Sequence, residues 1–155
     1  CGSVTLYRGT GSSGRASIFA DGFRGVPKGA ACVAATTLDD LVGNIPLPGH
    51  ILIKLDVEGG ELHAIRGGRK LITNRRPALM LEINERALSK AGHSVMDIVE
   101  ELRWLDYRSF RSCADLTVSY ELGELWARGK TDIVVSCEEA SRREPARNAR
   151  AKTDG

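Results

Sequence analysis

No two cysteines of this chain are spaced as C-x-x-C. The four, Cys1, Cys32, Cys113 and Cys137, are scattered along the sequence, which argues against a zinc ribbon or a thioredoxin-type redox site. They read instead as free, partly buried thiols of a cytosolic protein. An excess of charge of one sign is also lacking. A net charge of +2 gives no electrostatic case for nucleic acid or an anionic membrane as partner. No apolar run approaches the length of a membrane span, no secretory signal opens the chain, and no internal repeat is visible. The first residue is Cys1 rather than Met, and a piece of a longer protein is expected. The composition that remains is a globular balance, 42% hydrophobic and 27% charged over 155 residues. That suffices for one domain with a real core and falls short of two.

The most informative stretch is Ile51-Leu-Ile-Lys-Leu-Asp-Val-Glu-Gly-Gly-Glu61. Ile51, Leu52, Ile53 and Leu55, interrupted by Lys54, read as a strand buried on both faces, as in a parallel sheet. Asp56, Glu58 and Glu61 come next, with Gly59 and Gly60 where the backbone must turn sharply or be approached closely. Leu62, Ile65, Leu71 and Ile72 then recur at mostly helical spacing, and one helix is expected from about Glu61 to Thr73, weakened by Gly67 and Gly68. Pro77 leads into a second buried strand, Ala78 to Ile83, with Glu82 near its end. Strand, helix and strand form a right-handed crossover unit with parallel strands. Asp56 and Glu82 are thereby placed at the same, carboxyl edge of the sheet, where ligands of open α/β sheets bind.

Elsewhere the signals are local. Val4 to Tyr7 is β-prone. Gly9-Thr-Gly-Ser-Ser-Gly14 matches G-x-G-x-x-G, but the segment from Arg15 to Pro27 is too short and broken for the helix a dinucleotide loop requires, so a loop joining two hairpin strands is favoured. Cys32 to Thr36 is β-prone. Thr36 or Thr37 is placed to cap a helix with Asp39 and Asp40 in its first turn and Leu38, Leu41 and Val42 as its apolar face. Arg66, Arg69, Lys70, Arg75 and Arg76 read as a solvated helix face, since no aromatic residues are interleaved with them. One turn of helix is expected around Arg86 to Lys90. Val95, Ile98, Val99, Leu102 and Leu105 make the clearest amphipathic stripe, with Ser94 as cap. Strands are expected at Tyr107 to Phe110, Leu116 to Tyr120 and Thr131 to Ser136, and a helical turn at Glu121 to Arg128 with Leu122, Leu125 and Trp126 inward. Residues 1–137 are read as one domain and 138–155 as a disordered polar tail.

Several spaced elements agree in order with one known family. Thr37-Leu38-Asp39, then Ile53-Lys54-Leu55-Asp56-Val57-Glu58-Gly59-Gly60-Glu61, then Gly67, then Arg76-Pro77 leading to Leu81-Glu82-Ile83 resembles the FkbM family of S-adenosylmethionine-dependent methyltransferases. The resemblance spans roughly Val4 to Ser136 and is tightest from Thr37 to Ile83. It implies an α/β, Rossmann-like class I methyltransferase fold with a mostly parallel sheet. It implies S-adenosylmethionine as cofactor and a small molecule or sugar, methylated on a hydroxyl oxygen, as acceptor. It also implies that the glycine-rich cofactor loop and the ribose-binding acid lie before Val4, so the fold is N-terminally incomplete and no cofactor-binding residue is assigned here.

Methyl transfer is an in-line displacement in which positioning matters most, and a hydroxyl acceptor must lose a proton to a base. Asp56, Glu58 and Glu82 are the candidate catalytic residues: Asp56 facing the sulfonium or the acceptor, Glu58 and Glu82 as base or acceptor anchor. Glu61 is read as a helix-dipole residue, His63 as a packed or surface residue, and His50 and His93 as loop residues without partners. The alternatives are a non-catalytic remnant or binding module of the same fold and, last, a metal-dependent hydrolase with Asp56, Glu58 and Glu82 as oxygen ligands. The strand from Ile51 to Leu55 is expected to present an exposed apolar edge.

Overall fold

A computed structural model of the chain describes residues 2–9, 16–20, 27–43, 45–47, 49–121, 124–125 and 129–137. The expected tail from 138 onward, most of the Gly9 to Gly14 loop, and Leu122 and Trp126 lie outside the described residues. The elements are β1 (Gly2–Arg8), β2 (Ala16–Ser17), β3 (Gly29–Ala35), α1 (Leu38–Val42), β4 (Leu52–Leu55), α2 (Glu61–Gly67), α3 (Arg69–Arg75), β5 (Ala78–Asn84), α4 (Glu85–Lys90), α5 (Val95–Trp104), β6 (Ser109–Ser112) and β7 (Lys130–Ser136).

They form two sheets. The first is antiparallel, ordered β2-β1-β3. Its β1–β2 pairing, Tyr7 opposite Ser17 and Arg8 opposite Ala16, is that of the expected hairpin. The second is ordered β4-β5-β7-β6 and is mixed, not mostly parallel. β4 and β5 are parallel, with Leu55 level with Leu81, whereas β7 runs antiparallel to both β5 and β6. The connections account for the difference. α2 and α3 join β4 to β5, and α4 and α5 join β5 to β6, so these three strands share a direction. No helix separates β6 from β7 among the described residues, and β7 returns between β6 and β5 in the opposite sense.

The core lies between the second sheet and its helices. Leu79, Leu81 and Ile133 from the strands meet Leu62, Ile65, Ile72, Ile98 and Leu102 from the helices. α5 is built as its stripe predicts, and Ser94 with Asp97 closes a reciprocal capping box at its start. Three local expectations fail besides the mostly parallel sheet. The strand from Ile51 to Leu55 is not buried on both faces: only Leu55 is buried, and Leu52 is 62% exposed. Among the described residues β4 pairs with β5 alone, so its other edge is unpaired and, as expected, the apolar edge is exposed. Leu41 points outward, and of the α1 apolar residues Leu38 packs against the core. Leu116 to Tyr120 forms a single bridge, Arg111 with Ser119, in place of a strand.

The expected helix after the acidic turn is two helices, because the chain breaks at Gly68. A Cβ on Gly68 would sit 3.1 Å from Leu38 Cδ1, so the glycine lets α1 approach the junction. Asp39 then caps α3 across space, accepting from the Lys70 and Leu71 N–H groups at 3.1 and 2.8 Å. The basic residues are equally structural. Arg76 ends α3 in a left-handed conformation and donates to the Leu105 carbonyl at 2.7 Å. Arg75 donates to the Leu47 carbonyl. Arg66 and Arg69 converge on the buried Glu101 of α5, at 3.0 and 2.6 Å. Burial pushes the Glu101 carboxyl up, but hydrogen bonds from Arg69 and Arg66 prevail and hold it below the ordinary 4.5.

A carboxyl whose folded value is lowered stabilises the fold above its unfolded value and loses that contribution as pH falls through the folded one. Thermal melts from about pH 6 to about pH 3 should therefore show an acid loss of stability that is shallower in Glu101→Gln. Equally steep acid limbs in the two proteins would contradict this role.

Candidate active site at the sheet edge

The residues after β4 are folded by one carboxylate. Glu61, 2% exposed in the first turn of α2, reaches back and accepts the Val57 N–H at 3.1 Å and the Gly59 N–H at 3.0 Å. Burial pushes its carboxyl up, the backbone hydrogen bonds oppose this, and the nearby Glu82 charge adds to the upward push, so the net direction is upward. Within this closed turn Glu58 takes φ 49° and Gly59 φ 101°. A left-handed non-glycine residue is strained by about 1 kcal/mol or more, and here the strain falls on a candidate site residue. Gly59 is required twice over, since a Cβ there would also lie 2.6 Å from the Ala87 carbonyl oxygen of α4.

The three candidate acids stand at one edge, in different surroundings. The β4–β5 register levels Leu55 with Leu81, so Asp56 and Glu82 come next, side by side. Asp56 is exposed and pairs with Lys54 at 3.2 Å. Glu82 is 8% exposed, and its Oε1 receives Lys130 Nζ at 2.6 Å. Its other oxygen, Oε2, is buried and has no hydrogen-bond partner among the described residues. A buried carboxylate oxygen without a donor is costly. The Lys130 ammonium is pushed up, first by its hydrogen bond to Glu82 and further by the charges of Glu82, Glu58 and Asp132. Lys130 thus pairs with Glu82 within the field of Glu58, and Asp56 follows β4 with its own lysine.

Lys130 and Asp132 were not found from the sequence. Alternation puts them on one face of β7, but only the antiparallel register sets Asp132 opposite Glu82 and Lys130 opposite Asn84. The Glu85 N–H, donating to the Gly129 carbonyl at 3.1 Å, fastens the start of β7 to the end of β5. Asn84 caps α4 through the Ala87 N–H. His63 and His93, read as unrelated, meet with ring centroids 4.9 Å apart and planes tilted by 55°, and the Phe19 ring lies 6.1 Å from that of His63. Burial, then the His93 and Arg66 charges, lower the His63 imidazole. His50 is exposed. Cys32 is exposed, and Cys113 and Cys137 are free and partly buried. Among the described residues no group of three or more His, Cys, Asp or Glu is placed to hold a metal ion, and no helix is long and apolar enough to cross a membrane.

The family model described as Methyltransferase FkbM domain matches residues 4–111, well over half of the chain. The chain belongs to the FkbM methyltransferase family. No curated protein and no solved structure matches it.

Gly59→Ala should cost at least about 2 kcal/mol, read as a lower urea midpoint, because backbone strain and a main-chain clash act together. Gly92, at φ 78° with nothing within 4 Å of an added Cβ, carries the strain alone. Gly92→Ala should therefore cost about 1 kcal/mol. Equal losses at the two sites would show that the contact with Ala87 does not constrain the turn.

Proposed function

On the premise of that family membership, we propose that the chain carries the methyl-transfer edge of an S-adenosylmethionine-dependent O-methyltransferase whose acceptor is a hydroxyl-bearing small molecule or sugar. The observation that carries the reading is Glu82 Oε2, a buried carboxylate oxygen with no donor among the described residues, at the carboxyl edge of two parallel strands where Glu58 also acts on its partner Lys130. An acceptor hydroxyl supplies the missing donor and there loses its proton, so Glu82 acts as general base. Glu58, held by the closed turn, anchors the acceptor. Asp56, exposed at the end of β4, faces the cofactor with a charge opposite to a sulfonium. The residues fit such a donor in charge: Glu58, Glu82 and Asp132 act on Lys130, with Asp56 beside them. When bound, S-adenosylmethionine supplies the methyl group, with cleavage of its carbon–sulfur bond and formation of the acceptor's oxygen–carbon bond. The free thiols support a cytoplasmic setting.

Transfer of labelled methyl from S-adenosylmethionine to a panel of hydroxylated acceptors, by this chain and by a version extended upstream in its own reading frame, tests the reading. Glu82→Gln should lower kcat by about 100-fold or more while changing KM little. Full activity in Glu82→Gln would remove Glu82 as base, and no transfer by either version would leave the edge as a non-catalytic binding module.

A further inference from the structure

The acids at this edge are crowded in a way that base catalysis does not by itself explain. Glu82 is buried near like charges: Asp132 opposes it on β7, Glu61 acts on it from α2, and Asp56 follows the β4 residue that is level with Leu81. A carboxylate buried in such surroundings needs a paired cation or donors. Lys130 is the cation in contact with it, Nζ to Oε1 at 2.6 Å. The contact uses one oxygen and leaves Oε2 without a partner among the described residues. The ammonium is partly exposed, whereas the carboxylate is buried. The backbone of Gly129 is held by Glu85, so the lysine is delivered from a fixed point.

We propose that Lys130 is a positioning residue that pairs with Glu82 through Oε1 and keeps Oε2 as the oxygen presented to the acceptor hydroxyl. The inference rests on the methyltransferase reading for its use, but the ionic control it describes stands in the protein without substrate. In methyl transfer the proton leaves the acceptor oxygen for Oε2 while Lys130 stays on Oε1, so the base is regenerated when that proton passes to water.

The test measures the pair and the reaction separately. The side-chain carboxyl carbons of glutamate are labelled, and the Glu82 signal is assigned by its loss in Glu82→Gln and titrated by NMR in the full chain. In Lys130→Met the Glu82 titration midpoint should rise by at least about one pH unit, because a buried acid has lost its counter-charge. Lys130→Arg should restore the midpoint toward the wild-type value, since arginine keeps the charge. In kinetics, Lys130→Met should move the acidic limb of kcat/KM upward by the same shift. An unmoved Glu82 titration in Lys130→Met would overturn the proposal even if methyl transfer is found. A moved titration in a chain that transfers no methyl group would uphold the ionic control and remove the methyltransferase reading.

Discussion

The closure of the acidic turn by Glu61 is the constraint on which the site depends. A strand that ends at Leu55 and a helix that begins at Glu61 leave five residues to reverse direction, and the carboxylate satisfies two of the N–H groups that this turn would otherwise bury. The closed turn forces Glu58 into a left-handed conformation and brings Gly59 against α4, where only a glycine fits. The acids of the turn thus divide in role. Glu61 shapes the backbone, and Glu58 and Asp56 are held out at the edge beside Glu82.

The environments of the two strand-end acids set their chemistry apart. Asp56 keeps its water and pairs with an exposed lysine, an interaction of small energetic consequence. Glu82 is buried, and each group around it changes what it can do. A shielded carboxylate with one oxygen lacking a donor among the described residues is suited to receive a proton, whereas an exposed one is suited to face a cation. Two acids at the ends of neighbouring parallel strands therefore stand in opposite surroundings, one exposed and one buried.

Much of this was legible in the sequence where the signal is local. The stripe of α5 with its Ser94 cap, the crossover unit around the acidic turn, and the common edge of Asp56 and Glu82 come from periodicity and handedness. The family resemblance rested on those same spaced residues. The features that were not legible depended on pairing between distant segments. The insertion of β7 between β5 and β6 made the sheet mixed and brought Lys130 to Glu82. The basic residues read as a solvated face because their partners, Glu101 and the Leu47 and Leu105 carbonyls, are remote in sequence. Asp39 was assigned to its own helix and caps another one. The strand at Ile51 looked buried on both faces because its composition reports apolarity, while burial depends on neighbours that β4 has on one side among the described residues.

The most direct measurement of the central claim is a titration of S-adenosylmethionine followed by backbone amide NMR, in this chain and in its upstream-extended form. The account predicts saturable shifts confined mainly to Asp56 through Gly60, Asn84 and Lys130 in the form that binds. Saturable binding that leaves those amides unmoved, or no binding by either form, would contradict the placement of methyl transfer at this edge.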